Sequence, residues 1–403
     1  MPEQLGYKFE KLEAMNEALC AEFKLLCLCV VYDKAKSPSS EIIVFIQNHD
    51  INWEYFLELV KWHRETPLAY RAVSQLKKYF PKRVSETLLK RVSRVKEKAL
   101  QQTKELIDIH KIFAENNIPL IIFKGTWLSH FLYGDIGMRE SWDIDLLISV
   151  NFLEKAVRLL HESGYEELYQ PYFNDIKPRT RKFVTKKVRK DITFKHKQSG
   201  VVVELHYRLA RQFNHFPLSF EEIWKEKGEY ELMGQSFHIM SPYHLWLYQC
   251  YHGAKCGWYR LHWLSDIFQL DKKNIVEAGQ LLEASKNLSS QRAIIEAKTL
   301  IYLLFNTKLE SPFLQEIQKD KIIKKLLMNA FEQFKNTEVR ELQRHFFRVL
   351  SIKKGDNKIK RAYWEHSVDL KDINRFPLPD KLFFLYYILG PVFYVIRHLF
   401  RLK

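Results

Sequence analysis

The chain contains 403 residues with a mass of 48.4 kDa, a length that predicts roughly two or three domains. Hydrophobic residues make up 46% and charged residues 28%, with only 13 Gly and 13 Pro. This composition excludes a low-complexity, collagen-like or largely disordered protein. The formal net charge of +16 and the pI near 9.3 make phosphates, acidic polymers and anionic membrane surfaces the electrostatically preferred partners.

Two features of the sequence bear on its compartment. The five cysteines are odd in number and too sparse for a disulfide framework in a chain of this size. The first 20 residues carry acidic side chains and no apolar segment of the kind that precedes a secretory cleavage site. We therefore expect a mature chain that starts here and is located in the cytoplasm.

The sequence from about residue 10 to 115 favours helices. Apolar residues from Trp53 to Val60 follow the i, i+3, i+4, i+7 spacing of an amphipathic helix, with acidic and basic residues between them. No block recurs at a period of roughly 20 to 50 residues, which excludes a repeat architecture. The first region of the chain is therefore predicted to be mostly helical.

Strand signals begin at residue 118. The continuous apolar segment 118–123 predicts a short buried strand that meets a helix after Lys124-Gly125, with Pro119 at the start of the strand. Segment 143–148 predicts a second strand, and helical spacing follows it as far as Gly164. The chain here is predicted to form a strand-helix unit.

A hairpin and a second helical region follow. Segments 192–194 and 201–209 predict two strands joined by the Gly-containing turn 197–200. After about residue 241 the helical pattern returns. Strands clustered between helical regions predict an α+β fold with a mixed sheet. The expected divisions are an N-terminal helical region over 1–115, a core over 116–240 and a C-terminal helical region over 241–403.

Acidic residues on two of the predicted strands form a candidate metal site. Asp143 and Asp145 point the same way because side chains alternate faces along a strand. Glu204 on the hairpin can be brought to them as a third carboxylate by a neighbouring strand. Such oxygens suit Mg²⁺ or Mn²⁺, and two such ions can hold the attacking and leaving oxygens of a phosphoryl transfer. An ordinary pair of solvent-facing carboxylates is the alternative, because an Asp-x-Asp pair alone has little specificity.

The turn after the first strand is a candidate phosphate site. Gly125 lets the backbone approach a phosphate, and the helix that begins at Thr126 offers free N–H groups and the positive end of its dipole. Lys124 adds a point charge. An ordinary turn is the alternative, because a single Lys-Gly pair is common.

In this order the residues resemble the DNA polymerase β-like nucleotidyltransferase superfamily, and most closely its family of uncharacterised bacterial nucleotidyltransferases. The segments that carry the resemblance are 118–125, 133–135, 143–147, 164–165 and 203–207, with Arg139. It continues in His252-Gly253, Trp258, Leu261, Trp263 and Asp266, and more faintly over 53–63, so it covers most of the chain. The chain departs from the wider superfamily in having Lys124-Gly125 where Gly-Gly or Gly-Ser is common, which affects the phosphate turn more than the metal site.

The resemblance implies a polymerase β-like core and an enzyme that moves a nucleoside monophosphate from a nucleoside triphosphate, such as ATP, to a hydroxyl or phosphate acceptor. It implies that Asp143 and Asp145 hold Mg²⁺ or Mn²⁺ and that Glu204 completes the site as a metal ligand or takes the proton of the acceptor. It also implies that the triphosphate is contacted by Lys124, Gly125, Thr126 and Arg139.

A basic stretch lies beside the predicted active-site strands. Between residues 177 and 197 there are ten Lys or Arg and one acid, Asp191. Such a stretch is a candidate surface for nucleic acid, or a solvated face, and Phe183 and Phe194 are few aromatic side chains for base stacking. The alternative function is therefore a non-catalytic nucleotide- or nucleic-acid-binding protein that retains the fold.

Several histidines and cysteines carry metal-capable side chains. Cys250, His252, Cys256 and His262 are close in sequence, but their spacing fits none of the usual zinc patterns. A helix face packed on the core explains them, with His252 lining the cleft. His206 lies on the same strand face as Glu204, either as a substrate contact or as a structural histidine.

The C-terminal segment is apolar. Residues 382–396 form 15 uncharged positions interrupted by Gly390-Pro391, fewer than the roughly 20 that span a bilayer. We predict a buried pair of helices here. The alternative is a peripheral membrane contact over 382–403, supported by the positive charges of Arg397, Arg401 and Lys403.

Overall fold

The computed structural model describes residues 10–33, 39–168, 178–185, 189–211, 215–288, 290–334 and 370–399. Helices fill the described chain before the first strand, as the apolar spacing predicted. Their bounds are α1 (Glu10–Glu17), α2 (Ala21–Val31), α3 (Ser39–Asn48), α4 (Trp53–His63), α5 (Thr66–Gln75) and α6 (Lys82–Glu115). The N-terminus of α4 is capped by the Asn52 side chain, which accepts a hydrogen bond from the Tyr55 N–H at 3.1 Å.

The central part of the chain forms a seven-stranded mixed sheet. Its elements are β1 (Leu120–Ile122), α7 (Thr126–Tyr133), β2 (Ile144–Ile148), α8 (Leu153–Glu162), β3 (Tyr165–Glu167), α9 (Pro178–Phe183), β4 (Asp191–His196), β5 (Val202–His206), α10 (Phe220–Lys225), β6 (Gly228–Leu232) and β7 (Gln235–Ile239). The strand order is β3-β4-β5-β2-β1-β7-β6. β2 is parallel to β5 and antiparallel to β1, and β1 is parallel to β7. The prediction of an α+β fold with a mixed sheet is therefore confirmed.

Helices follow the sheet, again as predicted. They are α11 (Pro242–Lys255), α12 (His262–Lys272), α13 (Ala278–Asn287), α14 (Gln291–Phe305), α15 (Ser311–Lys319), α16 (Lys321–Phe334), α17 (Leu370–Arg375) and α18 (Leu385–Leu399). The helices before and after the sheet pack on each other: the Phe23 ring stacks on Phe334 at 5.2 Å, and the Leu261 N–H donates to His63 Nδ1 at 3.1 Å. The two helical regions share one hydrophobic core, which also includes the sheet.

A buried carboxyl group links the two helical regions. Glu65, between α4 and α5, accepts a hydrogen bond from the Ser265 hydroxyl of α12. Burial raises the pKa of Glu65 well above its usual range, and the nearby carboxylates of Asp266 and Glu140 add to the rise. The folded chain therefore holds a proton on Glu65 that the unfolded chain releases above its ordinary pKa.

Replacement of Glu65 with Gln tests this buried proton. Stability from a raised carboxyl pKa is fully present below the unfolded pKa of about 4.3 and is lost as the pH rises towards the folded pKa. Glu65→Gln keeps the acceptor oxygen and removes the titration, so we expect the variant to melt above the wild type at pH 8, with a smaller gap at pH 5. Melting curves at the two pH values measure this, and an equal gap at both would contradict it.

The C-terminal prediction needs a correction. The expected pair of helices is one helix, α18, which continues through Gly390-Pro391. A proline removes one backbone hydrogen bond, and the buried Tyr386 and Phe393 hold the turns on either side. Ile388 and Val392 are 61% and 52% exposed, so this helix is not wholly buried, and the contact with a membrane surface stays a prediction. Among the described helices, none combines the length and apolar character needed to cross a bilayer.

Candidate active site

The parallel pairing of β2 with β5 places three metal-capable side chains together. Asp145 lies directly opposite Glu204 in the register, so both carboxylates leave the same face of the sheet. His206 Nε2 lies 3.1 Å from Asp145 Oδ1 and 3.2 Å from Glu204 Oε2. One ligand atom from each of the three residues lies within 4.8 Å of the other two. The sequence prediction that β5 brings Glu204 to the Asp-x-Asp pair agrees with this arrangement.

Asp143 stands immediately before β2, at the edge of this group. Its carboxyl group is not among the three clustered ligands. Burial raises its pKa to about 7, and repulsion from Asp145 and Glu204 contributes to the rise. Burial and the two neighbouring carboxylates therefore raise the pKa of Asp143 more than Lys124 and His206 lower it.

Lys124 supplies the closest positive charge to Asp145. Its Nζ lies 2.9 Å from Asp145 Oδ1, and the two side chains are 12% and 3% exposed. Although burial alone raises it, the charge of Lys124 and the hydrogen bond from His206 hold the pKa of Asp145 well below its usual range. Asp145 is thus a fixed anion, while Asp143 titrates.

Gly125 and Thr126 form the start of α7 beside Lys124. Gly125 has φ +88°, a backbone conformation that side chains with a Cβ rarely adopt. A Cβ at Gly125 would lie 3.9 Å from the Asp143 carbonyl oxygen, so the turn passes next to the acidic group. The first turn of a helix leaves N–H groups without intrahelical acceptors. The structure therefore puts the predicted phosphate turn and the predicted metal ligands at one place.

Asp191 and Lys190 lie next to His206 Nδ1, on the side of the ring away from Asp145 and Glu204. No pattern in the sequence indicated a role for them. Asp191 is opposite His206 in the β4–β5 pairing, with its Oδ2 3.6 Å from His206 Nδ1. Lys190 Nζ lies 3.3 Å from the same ring nitrogen and forms an ion pair with Asp191. Burial raises the pKa of Asp191, but the charge of Lys190 outweighs it and keeps that pKa low. Counting back along β4 from the predicted hairpin turn would have placed Asp191 across from His206.

Aromatic side chains form the apolar side of the site. The Phe123 ring contacts the rings of His206 and Tyr248 edge-on at 5.0 and 5.3 Å. Lys124 Nζ lies 5.4 Å from the Phe123 centroid. His252, one turn beyond Tyr248 on α11, is partly exposed and close enough to Lys124 for that charge to lower its pKa, although burial lowers it more. The expectation that His252 lines the cleft stays a prediction.

The other metal-capable residues on or near α11 differ in their exposure to solvent. Cys250 and His262 are buried, and Cys256 is partly exposed at the C-terminal end of α11. Burial raises the pKa of the Cys250 thiol well above its usual range, which keeps the side chain neutral. Its environment is that of a packed core residue.

The structure places Arg139 differently from the other predicted phosphate ligands. Its Nε donates to Asp266 Oδ2 of α12 at 2.8 Å, and its side chain is 8% exposed. Gln249 Nε2 donates to the same carboxylate oxygen at 3.2 Å. In this arrangement Arg139 joins the segment before β2 to α11 and α12. A direct contact with a triphosphate stays a prediction.

Many charges of the described part of the basic stretch have acidic partners. Lys190 pairs with Asp191, Lys197 Nζ lies 2.9 Å from Glu166 Oε1, and Arg181 lies 3.8 Å from Glu154. Lys177, Lys186 and Lys187 lie outside the described residues. Binding of nucleic acid to this stretch stays a prediction.

Comparison with known proteins places this site within a family. The family described as Uncharacterised nucleotidyltransferase matches residues 49–306, a span that runs from just before α4 to just after α14 and contains the whole sheet. No curated protein and no solved structure matches the chain.

Proposed function

This chain belongs to the family of uncharacterised nucleotidyltransferases, and from that premise we propose that it catalyses a metal-dependent transfer of a nucleoside monophosphate. The donor is a nucleoside triphosphate such as ATP, and the acceptor is a hydroxyl or phosphate group. The observation that carries the proposal is the group of Asp145, Glu204 and His206, which lies beside the Lys124-Gly125 turn. Carboxylates next to a phosphate turn are what nucleotidyl transfer requires.

The residues present fit a divalent cation. Asp143, Asp145 and Glu204 repel one another enough to contribute to the raised pKa of Asp143, and a bound cation offsets such repulsion. We propose Asp145 and Glu204 as ligands, completed by Asp143 or by His206. An all-oxygen set suits Mg²⁺, whereas an imidazole ligand favours Mn²⁺ over Mg²⁺. The metal would neutralise charge that develops on the transferring phosphoryl group.

The protein's own groups have separate proposed roles. Lys124 and the N–H groups at the start of α7 contact the triphosphate, since a point charge and a helix N-terminus both attract phosphate. Glu204, whose side chain is 29% exposed, is more accessible than Asp145, which is 3% exposed, and can take the proton of an acceptor hydroxyl. Asp191 and Lys190 hold His206 against the two carboxylates. Phe123 and Tyr248 exclude water from the side of the site that faces the core.

Pyrophosphate release tests the proposal. Each of the four ribonucleoside triphosphates is incubated with the full chain in Mg²⁺, in Mn²⁺ and in a chelator, beside the Asp143→Ala, Asp145→Ala double variant. We expect release by the wild type only, only with metal, and faster with one triphosphate than with the others. Equal release by the double variant would exclude this site as the catalytic centre.

A non-catalytic nucleotide- or nucleic-acid-binding protein is the alternative function. The paired charges of the basic stretch do not favour it, but the Lys and Arg residues of 177–197 are its proposed surface. Binding through such charges should not need a metal and should weaken steeply with salt. Metal-independent, salt-sensitive nucleotide binding without turnover would favour this alternative over the enzyme.

A further inference from the structure

An exposed tryptophan stands next to the acidic group, between two cations. Trp142 immediately precedes Asp143, and it is 60% exposed. The guanidinium carbon of Arg64 lies 5.1 Å from the centroid of its ring, and Lys98 Nζ lies 4.9 Å from it. Arg64 comes from the end of α4 and Lys98 from the middle of α6. Three segments distant in sequence therefore meet around Trp142, the residue before Asp143.

These cations lack the acidic partners that surface cations usually have. In the described part of the chain no carboxylate oxygen lies within 4.0 Å of the side-chain nitrogens of Arg64 or Lys98. The Nε atom of Arg64 is buried and has no hydrogen-bond partner among the described residues. A third cation, Arg260, lies 5.4 Å from the Trp62 ring, and its Nε is likewise buried without a partner. A buried donor of this kind is costly unless water or a ligand accepts its hydrogen bond, so the Arg64 guanidinium is available to an anion.

The backbone at Arg64 has a conformation that is unusual for an arginine. Arg64 caps the C-terminus of α4 with φ 59° and ψ 43°, the left-handed conformation in which glycine is the usual residue. A residue with a Cβ is less stable there than glycine. The side chain of Arg64 makes no hydrogen bond or ion pair within the described chain that would offset this cost. This position instead holds the guanidinium over the ring of Trp142, the residue before Asp143.

The acidic residues divide the site into two basic sides. Asp145 faces Lys124 and the start of α7. Arg64 and Lys98 form the second basic group, because both flank the ring of Trp142, which immediately precedes Asp143. If the triphosphate occupies the Lys124 side, as proposed above, the Arg64 side is left for the acceptor.

We propose that Arg64, Lys98 and Trp142 form the acceptor subsite and that the acceptor carries a phosphate group. The inference rests on the proposed function for the direction of transfer. The guanidinium group of Arg64 and the ammonium group of Lys98 can donate hydrogen bonds to phosphate oxygens. The indole holds both cations towards Asp143, and its exposed surface is open to the remainder of the acceptor.

Tryptophan emission can detect a phosphate in this subsite. The full chain is titrated with inorganic phosphate in the presence of Mg²⁺, with and without saturating α,β-methylene-ATP, and acetate serves as the control anion. We expect phosphate to change the emission in both conditions and acetate to have little effect. The change should disappear in Trp142→Phe. Failure of phosphate to bind the nucleotide-loaded chain would overturn the proposal.

Three variants separate the acceptor site from the donor site. Arg64→Gly and Lys98→Gln are expected to weaken phosphate binding at least about tenfold while leaving the affinity for α,β-methylene-ATP within about twofold. Lys104→Gln, an exposed position on the same helix as Lys98, is the matched control and should change neither affinity. Arg64→Gly should keep the melting temperature, because glycine adopts the left-handed conformation without strain.

The binding titrations test the acceptor subsite, and pyrophosphate release tests the proposed function, so failure of one can be told from failure of the other. Weaker nucleotide binding in Arg64→Gly and Lys98→Gln would assign these cations to the triphosphate of the donor and overturn the acceptor assignment. Unchanged phosphate affinity in both variants would overturn the subsite itself. Absence of pyrophosphate release from the wild type would instead count against the proposed reaction, whatever the phosphate titration shows.

Discussion

Replacement of Asp145 with Asn is expected to lower metal-dependent pyrophosphate release by at least about a thousandfold. Asp145 contacts both Lys124 and His206, and its pKa is held low, so it provides a permanent charge at the centre of the site. Asn removes that charge and keeps the size of the side chain. The measurement is the initial rate of pyrophosphate release at saturating triphosphate and metal.

Loss of Asp145 also affects folding, so a second variant is needed. Asn at this position leaves Lys124 buried without its ion-pair partner, which costs about 3 to 5 kcal/mol for a typical buried pair. Glu204 is more exposed, and Glu204→Gln should lose at least about a hundredfold in rate with a melting temperature close to that of the wild type. Glu166→Gln on the edge strand β3 is the matched control, because its carboxylate is 66% exposed and pairs only with Lys197 among the described residues. Full activity of Glu204→Gln would remove Glu204 from the site.

The carboxylate cluster could be predicted from the sequence because it depends on local rules. The two-residue period of an extended chain predicts Asp143 and Asp145 on one side, and the same period puts Glu204 and His206 on one face of β5. The pairing of β2 with β5 then needed only one further assumption, that the third carboxylate comes from a neighbouring strand. The inclusion of His206 among the clustered ligands was open from the sequence, since a histidine on that face can equally be structural.

The basic side of the site could not be predicted in the same way. Arg64 and Lys98 lie 78 and 44 positions before Trp142, on helices whose orientation depends on packing against the core. No spacing rule connects such residues. Arg139 illustrates the same limit, because the resemblance implies a contact with the triphosphate, whereas the structure pairs Arg139 with Asp266, 127 positions later. Charge partners far apart in sequence are decided by tertiary packing.

The residues of α11 and α12 that support the family resemblance have a physical role in this packing. The Trp258 side chain is fully buried, and its backbone has φ 56°. The backbone N–H of Trp258 donates to the Gly253 carbonyl at 3.0 Å, and the Trp258 ring lies directly on the Gly253 backbone. This contact fixes the end of α11, and α11 carries Tyr248 and His252 beside Lys124. A packing contact outside the site thus determines the position of its aromatic side.

Gly253→Ala is accordingly expected to lower the stability of the chain by about 3 kcal/mol or more. A Cβ at this position would lie 2.0 Å from Cζ3 of Trp258 and 2.5 Å from Cε3, and the buried indole has no space into which it can move. Overpacking of this degree forces the ring or the helix to shift. The midpoint of urea unfolding measures the effect, and the Tyr248 and His252 side of the site should lose its geometry together with the Trp258 packing.

Gly279→Ala provides the control for the Gly253 substitution. Gly279 lies near the start of α13, and apart from its own helix no heavy atom of the described residues lies within 4 Å of the position a Cβ would take. Alanine is a better helix former than glycine, so this variant should unfold at the same urea concentration as the wild type or at a slightly higher one. If Gly253→Ala behaves like Gly279→Ala, the Trp258 ring does not lie on Gly253, and the helix that carries Tyr248 and His252 is positioned by other contacts.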